Sequence, residues 1–373
     1  MKKKITIVSI HSCPNEKIGL GNSGGLNVYV KNLHSYLLSN KFESNLITRK
    51  HGKCDFYKHS SKVLHIDSKK AVIEKDVIFN RIKSNTDILI SNYWTSAVFS
   101  NDHFNSVNKK YHIPHTLEYL KKKHFPKYVM DSTRYKLEKK SMINFDKIIC
   151  FSSLEKKVLI ENYNIEPSKI LSSSPGFDSD LFFKIPKVES REKINLHIND
   201  KLILFVGRLD LLKGLDIAIN TIEIIKKSHP NIKLGIVGGD YGSEAQKIIE
   251  KDLNKMNLTD NIIWFGSIDH QKLNYIYNAS DIVIIPSRSE SFGMVALEAL
   301  ASETPFIISN VGGMAEIIKS NKKCILVDKI TPESFGDLLL KFFENKIKNE
   351  NDEDSRINIQ DYNWDKIFHR MLN

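Results

Sequence analysis

The side chains of this 373-residue chain best suited to chemistry are Arg208, Lys213, Glu290 and Glu298, all in its second half. Arg208 and Lys213 follow the apolar run Leu202–Val206 and stand among glycines, in Gly207-Arg208-Leu209-Asp210 and Lys213-Gly214-Leu215-Asp216. A parallel strand ending at Val206 puts both cations beyond its carboxyl edge, where open α/β sheets bind ligands. A planar guanidinium and a compact ammonium together suit a diphosphate whose charge must be neutralised as a bond breaks. Glu290 and Glu298 lie eight positions apart in the stretch Ser287–Ala299, which follows the apolar segment Asp281–Pro286. The pattern predicts a strand, a loop bearing Glu290, and a helix bearing Glu298 about one turn in. Ser291, Phe292 and Gly293 form the helix entrance, where backbone N–H groups face outward. Taken alone, the two acids also fit a plain loop carboxylate and a surface-helix carboxylate.

A glycine loop, Gly19-Leu20-Gly21-Asn22-Ser23-Gly24-Gly25, follows the first apolar run. Gly19, Gly21 and Gly24 spell GxGxxG, but eight residues separate Ile10 from Gly19, and the second strand ends in Thr48-Arg49-Lys50 rather than an acid that could hold a ribose. The dinucleotide fingerprint is therefore not met. Gly24-Gly25 stands just before a helix beginning near Leu26-Asn27-Val28, where glycine lets backbone approach a phosphate closely. Glycines that only shape a loop are the alternative.

The elements that must position these residues read as α/β. Short, often continuously apolar runs predict buried parallel strands at Ile5–Ile10, Asn45–Thr48, Ile88–Ser91, Lys147–Phe151, Leu202–Val206, Lys233–Val237, Ile262–Phe265, Ile282–Ile285, Pro305–Ser309 and Cys324–Val327. Amphipathic segments such as Val28–Ser39, Leu215–Lys227, Glu244–Met256 and Met294–Ala301 lie between them. Strand–helix alternation of this kind predicts doubly wound sheets. The pattern restarts at Leu202 after a polar stretch, so the domains are expected at 1–183 and 184–355, with 356–373 a terminal helix around Trp364–Leu372 that must dock to be stable.

Charge is uneven. Residues 1–185 carry 31 Lys and Arg against 17 Asp and Glu, and the remainder 24 against 27, for a net charge of +11. A basic first half attracts phosphorylated substrates, anionic lipid or nucleic acid. Lys runs without regular aromatic interleaving, and no nucleic-acid module, argue against the last. The four cysteines are scattered and read as reduced thiols. The six-residue apolar run after Met1-Lys2-Lys3-Lys4 is too short for a secretory core, and no window suits a membrane span, so a cytoplasmic protein is expected.

In combination, these motifs resemble those of the retaining glycosyltransferases of family four, which have the GT-B fold. The matching residues are Gly24-Gly25-Leu26-Asn27-Val28-Tyr29-Val30, Pro175-Gly176-Phe177-Asp178, Gly207-Arg208, Lys213-Gly214, Glu290 with Glu298, Thr304-Pro305, Gly312-Gly313 and Trp364. The first block and His115-Thr116-Leu117 look closest to the branch that makes glucosaminyl-inositol phosphate for mycothiol; sucrose-phosphate synthases are also similar. The resemblance implies two Rossmann-like domains facing an interdomain cleft, with the C-terminal helix crossing back to the first domain. It implies a hexosyl transfer from a nucleotide diphosphate-sugar, most often a UDP-sugar, to a hydroxyl acceptor with retention. By the same analogy Arg208 and Lys213 hold the diphosphate, Glu298 the ribose, and Glu290 with Ser291, Phe292 and Gly293 the hexose hydroxyls. Gly24 and Gly25 approach the phosphate, and His115 sits near the anomeric centre. Asn27, Tyr93, Thr116 and Arg134 fall to the acceptor, together with a lysine among Lys69, Lys70 and Lys75. No metal is required, and Asp178-Ser179-Asp180, although a DxD, falls in the family's Pro-Gly-x-Asp turn.

The donor end matches well and the acceptor end departs. Asn92-Tyr93-Trp94 stands where the branch has His-Tyr-Trp, His112-Ile113-Pro114-His115-Thr116 where it has His-Thr-Ala-His-Thr, and Ser302-Glu303 where Cys-Gly is common. Three readings of Lys121-Lys122-Lys123-His124-Phe125-Pro126-Lys127 stay open: part of a basic half suited to a phosphorylated acceptor, a peripheral contact with anionic membrane at the inner face for a lipid-linked acceptor, or a solvated surface. A catalytically idle nucleotide- or glycan-binding protein is the alternative to an enzyme, and monomer and homodimer are both compatible with the sequence.

Overall fold

The computed structural model of the chain describes residues 2–16, 24–50, 62–66, 76–318, 324–345 and 357–372. They form two compact units: unit 1 runs to Pro175 and regains the chain at Trp364, and unit 2 takes the described residues from Gly176 to Asn363.

Unit 1 is a seven-stranded sheet of β1 (Lys4–Ser9), β2 (Glu43–Arg49), β3 (Val63–Ile66), β4 (Ile88–Asn92), β5 (Lys109–Ile113), β6 (Lys147–Cys150) and β7 (Ile170–Ser172). Its order is β3-β2-β1-β4-β5-β6-β7. The strands run parallel, with Ile7 level with Leu46 on one side and Ile90 on the other. Unit 2 has β8 (Lys201–Val206), β9 (Ile232–Val237), β10 (Ile262–Gly266), β11 (Ile282–Ile285), β12 (Phe306–Ser309) and β13 (Cys324–Val327), in the order β10-β9-β8-β11-β12-β13. Both sheets are wound outward from their first strand, so the order reverses between β1 and β4 and again between β8 and β11. Loops leaving the carboxyl ends of these strand pairs flank the crevices in which such sheets bind ligands. Helices cover the sheets, and β11 is continuously apolar because both its faces are buried.

The helix Trp364–Leu372 lies on the helix Gly25–Ser39 within unit 1. Its buried residues Trp364, Ile367, Phe368 and Met371 follow the i, i+3, i+4, i+7 spacing of one helical face. Trp364 stacks on Phe368 at 5.1 Å, and Tyr29 meets both rings edge-on. Nine residues are too few for an isolated helix, and this aromatic cluster supplies the packing that holds it.

Two differences from the sequence reading have physical causes. The units divide at Pro175–Gly176, not near residue 183, because Phe182 packs against His270 and Tyr277 and the Ile185 N–H donates to Asn278 Oδ1 at 2.8 Å. Strands β3, β5 and β7 went unread: β5 opens on Lys109-Lys110, outside the buried core, and β7 is a three-residue edge strand. The Asp178-Ser179-Asp180 segment is a turn closed on itself, with Asp178 Oδ1 accepting from the Asp180 N–H at 2.9 Å. Among the described residues no helix is long and apolar enough to cross a membrane.

Candidate active site

In unit 2 the candidate residues gather at the β8/β11 reversal. Arg208 and Lys213 lie on the loop leaving β8, and Glu290 lies on the loop leaving β11. Asp210 ties the first loop together: Oδ2 pairs with Arg208 Nη2 at 3.0 Å, while Oδ1 accepts from the Lys213 N–H at 3.0 Å. Lys213 Nζ donates to Glu290 Oε1, and Ser287 Oγ donates to the same oxygen at 3.1 Å. Arg288 grips Asp216 through both Nη atoms, at 2.7 and 2.5 Å, and its N–H donates to Leu212 O at 2.8 Å, which clamps the two loops to each other.

Two glycines make this approach possible. Gly214 has φ +74°, and a Cβ there would lie 2.0 Å from Pro286 O. Gly312 has φ +83°, and its Cβ would lie 2.9 Å from Glu290 Cβ. Any side chain at either position would push the Lys213 or Glu290 backbone away. The Ser291 and Phe292 carbonyls accept from the N–H groups of Gly313 and Met314, at 3.0 and 2.7 Å, so the second glycine loop is pinned to the first. Gly293, at φ +109°, caps the helix Met294–Ala301, which carries Glu298. Glu298 is buried, its Oε2 accepts from the Tyr277 hydroxyl at 2.7 Å, and burial pushes its carboxyl up to about 7 against the opposing pull of that hydroxyl. Sequence reasoning singled out the four charged residues but gave no role to Asp210, Ser287 or Tyr277, which between them hold all four.

In unit 1 the candidates stand where β4 and β5 end. Tyr93 and His115 take left-handed backbone, with φ +74° and +59°, a conformation seldom adopted by residues other than glycine and concentrated at functional sites. His115 Nε2–H donates to Asn92 Oδ1 at 2.9 Å, and its ring meets Tyr29 edge-on at 5.1 Å. Burial, reinforced by His112 and His11, pulls the His115 imidazole down to about 3, so it is neutral near pH 7.

Tyr93, Thr116 and Arg134 are brought together. The Arg134 guanidinium lies 4.9 Å over the Tyr93 ring, and Nη2 donates to Thr116 O and Oγ1 at 3.1 and 3.0 Å. The rest of the fork meets two buried carboxylates, Glu138 at 2.7 Å and Glu118 at 3.1 Å. Tyr163 and Tyr128 donate their hydroxyls to Glu138 and Glu118, at 2.6 and 2.7 Å. Burial raises the Glu138 carboxyl, with Arg134 opposing. The (i, i+3) pair Glu118–Lys121 and the (i, i+4) pair Arg134–Glu138 carried a readable spacing signal for this network.

Asn27 is placed differently from a ligand-facing side chain. Its Oδ1 accepts from Ser12 Oγ at 2.9 Å and from the Gly24 N–H at 3.2 Å, and its Nδ2 donates to Cys13 O at 2.7 Å. The amide thus ties the end of the glycine loop, and Gly24 caps the helix that begins at Gly25. Gly19, Gly21, Asn22 and Ser23, and the lysines 69, 70 and 75, lie outside the described residues. The lysine run is not one outward face: Lys121 pairs with Glu118, and Lys122 Nζ donates to Pro126 O and Tyr128 O at 2.6 and 3.0 Å.

The chain matches two family models, Glycosyltransferase Family 4 over residues 23–181 and Glycosyl transferases group 1 over residues 186–359. It is 29% identical over 371 residues to a D-inositol 3-phosphate glycosyltransferase of Corynebacterium aurimucosum, across 90% of this chain and 86% of that one. The sucrose-phosphate synthase of Thermosynechococcus elongatus superposes with a TM-score of 0.85 at 26% identity, over 99% of this chain and 97% of that one. Anabaena HepE in complex with UDP-glucose shares the fold at 16% identity, with a TM-score of 0.78 over 99% and 98% of the two chains. With one model on each half and both halves doubly wound parallel sheets, the chain belongs to the family 4, group 1 glycosyltransferases.

Proposed function

We propose that this glycosyltransferase moves a hexosyl group from a nucleotide diphosphate-sugar, a UDP-sugar first among them, to a hydroxyl of a polar, phosphorylated acceptor, with retention at the anomeric carbon. The observation that carries the reading is the Arg208–Asp210–Lys213–Glu290 cluster at the β8/β11 reversal, beside buried Glu298. Asp210 and Glu290 keep the two cations in place until a diphosphate takes their charge. Glu290 then turns to the hexose hydroxyls, and Glu298 accepts from the ribose hydroxyls. The bond from the anomeric carbon to the diphosphate breaks and the bond to the acceptor oxygen forms on the same face; the acceptor proton passes to the departing diphosphate. Fixed cations at the leaving group stabilise the charge that develops there, so the reading needs no metal.

His115 is assigned to hydrogen bonding near the anomeric centre rather than to proton transfer, because a base held near 3 is far from the pH at which it would work. On the acceptor side, Tyr93, Thr116 and Arg134 form one cluster, and the Corynebacterium relative is named for D-inositol 3-phosphate. Gly24 and Gly25 open a helix whose first N–H groups suit a phosphate. The tie of Lys121 to buried Glu118, and of Lys122 to the carbonyls of its own loop, favour a soluble acceptor in the cytoplasm over a membrane-bound one.

Arg208→Ala and Lys213→Ala tested in product-verified transfer assays are expected to lose on the order of 10²-fold in turnover, the usual cost of removing a transition-state charge contact. Near-normal transfer by both variants would remove the site assignment.

A further inference from the structure

Beside the loop that carries Arg208 and Lys213, a cavity of about 450 Å³ opens between the helices Leu215–Lys226 and Glu244–Lys255. That volume lies in the range of small-molecule sites. Leu211, Leu215, Ile219, Ile249, Leu253 and Met256 give it apolar walls, and Leu211 is 62% exposed, a large apolar side chain left in water. Arg208, Lys213, Glu290 and Glu298 stand outside these walls. The charged part of the lining is acidic: among the described residues, Asp210, Asp216 and Asp252 stand against one ammonium, Lys255. Lys255 answers Asp252 at 2.9 Å. The other two acids are held by cations of the site loops, Asp210 by Arg208 Nη2 at 3.0 Å and Asp216 by both Nη atoms of Arg288. The cavity and the donor-site loops therefore share two carboxylates.

We infer that the cavity binds a small amphiphile, an apolar body carrying an ammonium group, and that this ligand tightens binding of the nucleotide donor. The inference rests on the reading above in which the donor diphosphate takes the charge of Arg208. While Arg208 rests on Asp210, the charge of that acid is offset. A diphosphate that draws Arg208 away leaves a carboxylate in the cavity lining without its counter-ion. A cation in the cavity restores the balance, whereas an anion there meets charge of its own sign. A ligand bound more tightly with donor present must raise donor affinity by the same factor.

Calorimetric titration of the full chain uses octylammonium, 1-octanol and octanoate as probes, each with and without UDP. Octylammonium is expected to bind about tenfold tighter than octanol, the scale of one charge-assisted contact, and octanoate weakest of the three. Saturating UDP should tighten octylammonium by about fivefold or more, return the same factor on UDP, and leave octanol unchanged. Met256→Trp fills the cavity and should abolish octylammonium binding with UDP affinity retained. Leu211→Ser, on an exposed side chain, should weaken octylammonium and serves if the tryptophan variant fails to fold. Asp210→Asn should keep octanol binding and lose the coupling. Arg208→Ala separates the two readings. If it binds UDP as tightly as the wild type, the donor-site reading falls and the inference with it. If it weakens UDP while octylammonium fails to bind the wild type, binds equally with and without UDP, or binds Met256→Trp as well as the wild type, the inference alone falls. Sedimentation velocity adds one further outcome: self-association that Leu211→Ser abolishes would give the cavity mouth to a second copy of the chain and overturn the small-ligand assignment.

Discussion

Replacing Asn92 by Asp probes how unit 1 sets the state of His115. The imidazole donates from Nε2 to Asn92 Oδ1 at 2.9 Å and lies against Tyr29 and Phe151, with ring centroids 5.1 and 5.9 Å away. Burial holds it at about 3. Asn92→Asp keeps the acceptor oxygen and adds a charge. Two opposite unit charges about 4 Å apart interact by about 4 kcal/mol at an effective dielectric of about 20. Each pKa unit corresponds to about 1.4 kcal/mol, so the imidazole should rise by about three units, to roughly 6. Long-range proton–nitrogen NMR of labelled imidazoles reads the titration directly. The wild-type ring should stay neutral across the working pH range, and Asn92→Asp should add a titration near pH 6 with a matching limb in the turnover profile. A folded Asn92→Asp protein whose His115 remains neutral down to pH 5 would refute the assigned contact.

Further outcomes follow from two buried carboxylates. Glu298, raised to about 7, must be ionised to accept fully from ribose hydroxyls, so UDP affinity by calorimetry should weaken as pH falls from about 8 to about 6, and Glu298→Gln should flatten the curve. Glu155 is wholly buried, its Oε2 accepts from the Phe151 N–H at 2.7 Å, and burial raises it to about 7. Its folded value lies above the ordinary carboxylate range, so the stability it confers is present at low pH and is lost as pH rises through about 7. Glu155→Gln should therefore stabilise the fold by up to about 3 kcal/mol in denaturant titrations at pH 8, and by little near pH 5.

Much of unit 2 was legible in the sequence because its central strands β8, β11 and β12 are buried on both faces and so read as nearly continuous apolar runs. Arg208, Lys213 and Glu290 were legible for the same reason: each follows such a run within a few residues, so locating the strand end locates the side chain. Unit 1 was harder. Strand β5 hides behind Lys109-Lys110, and the Arg134 cluster draws on Tyr93, Thr116, Glu118, Lys121 and Glu138 from three separate segments that only the fold assembles. The lysine run left three readings open because composition counts charges without showing that Lys121 pairs with buried Glu118 or that Lys122 is tied to Pro126 and Tyr128 of its own loop. Asn27 was assigned by analogy to the acceptor, whereas its amide is held by Ser12, Cys13 and Gly24, contacts that no local spacing encodes. Ser302-Glu303, read only as a departure from Cys-Gly, puts Glu303 at φ +54°, the left-handed backbone that a glycine would adopt without strain.

The most direct test of the central claim is a transfer reaction followed to product: the full chain, a panel of UDP-, GDP- and ADP-sugars, and D-inositol 3-phosphate as the acceptor. Proton NMR reads the new anomeric linkage, and released nucleotide is measured in the same sample. The account predicts one favoured donor, nucleotide release matched by acceptor carrying one hexosyl group, and an anomeric configuration the same as the donor's. Tight nucleotide binding with no release from any donor, or a product of inverted configuration, would contradict it.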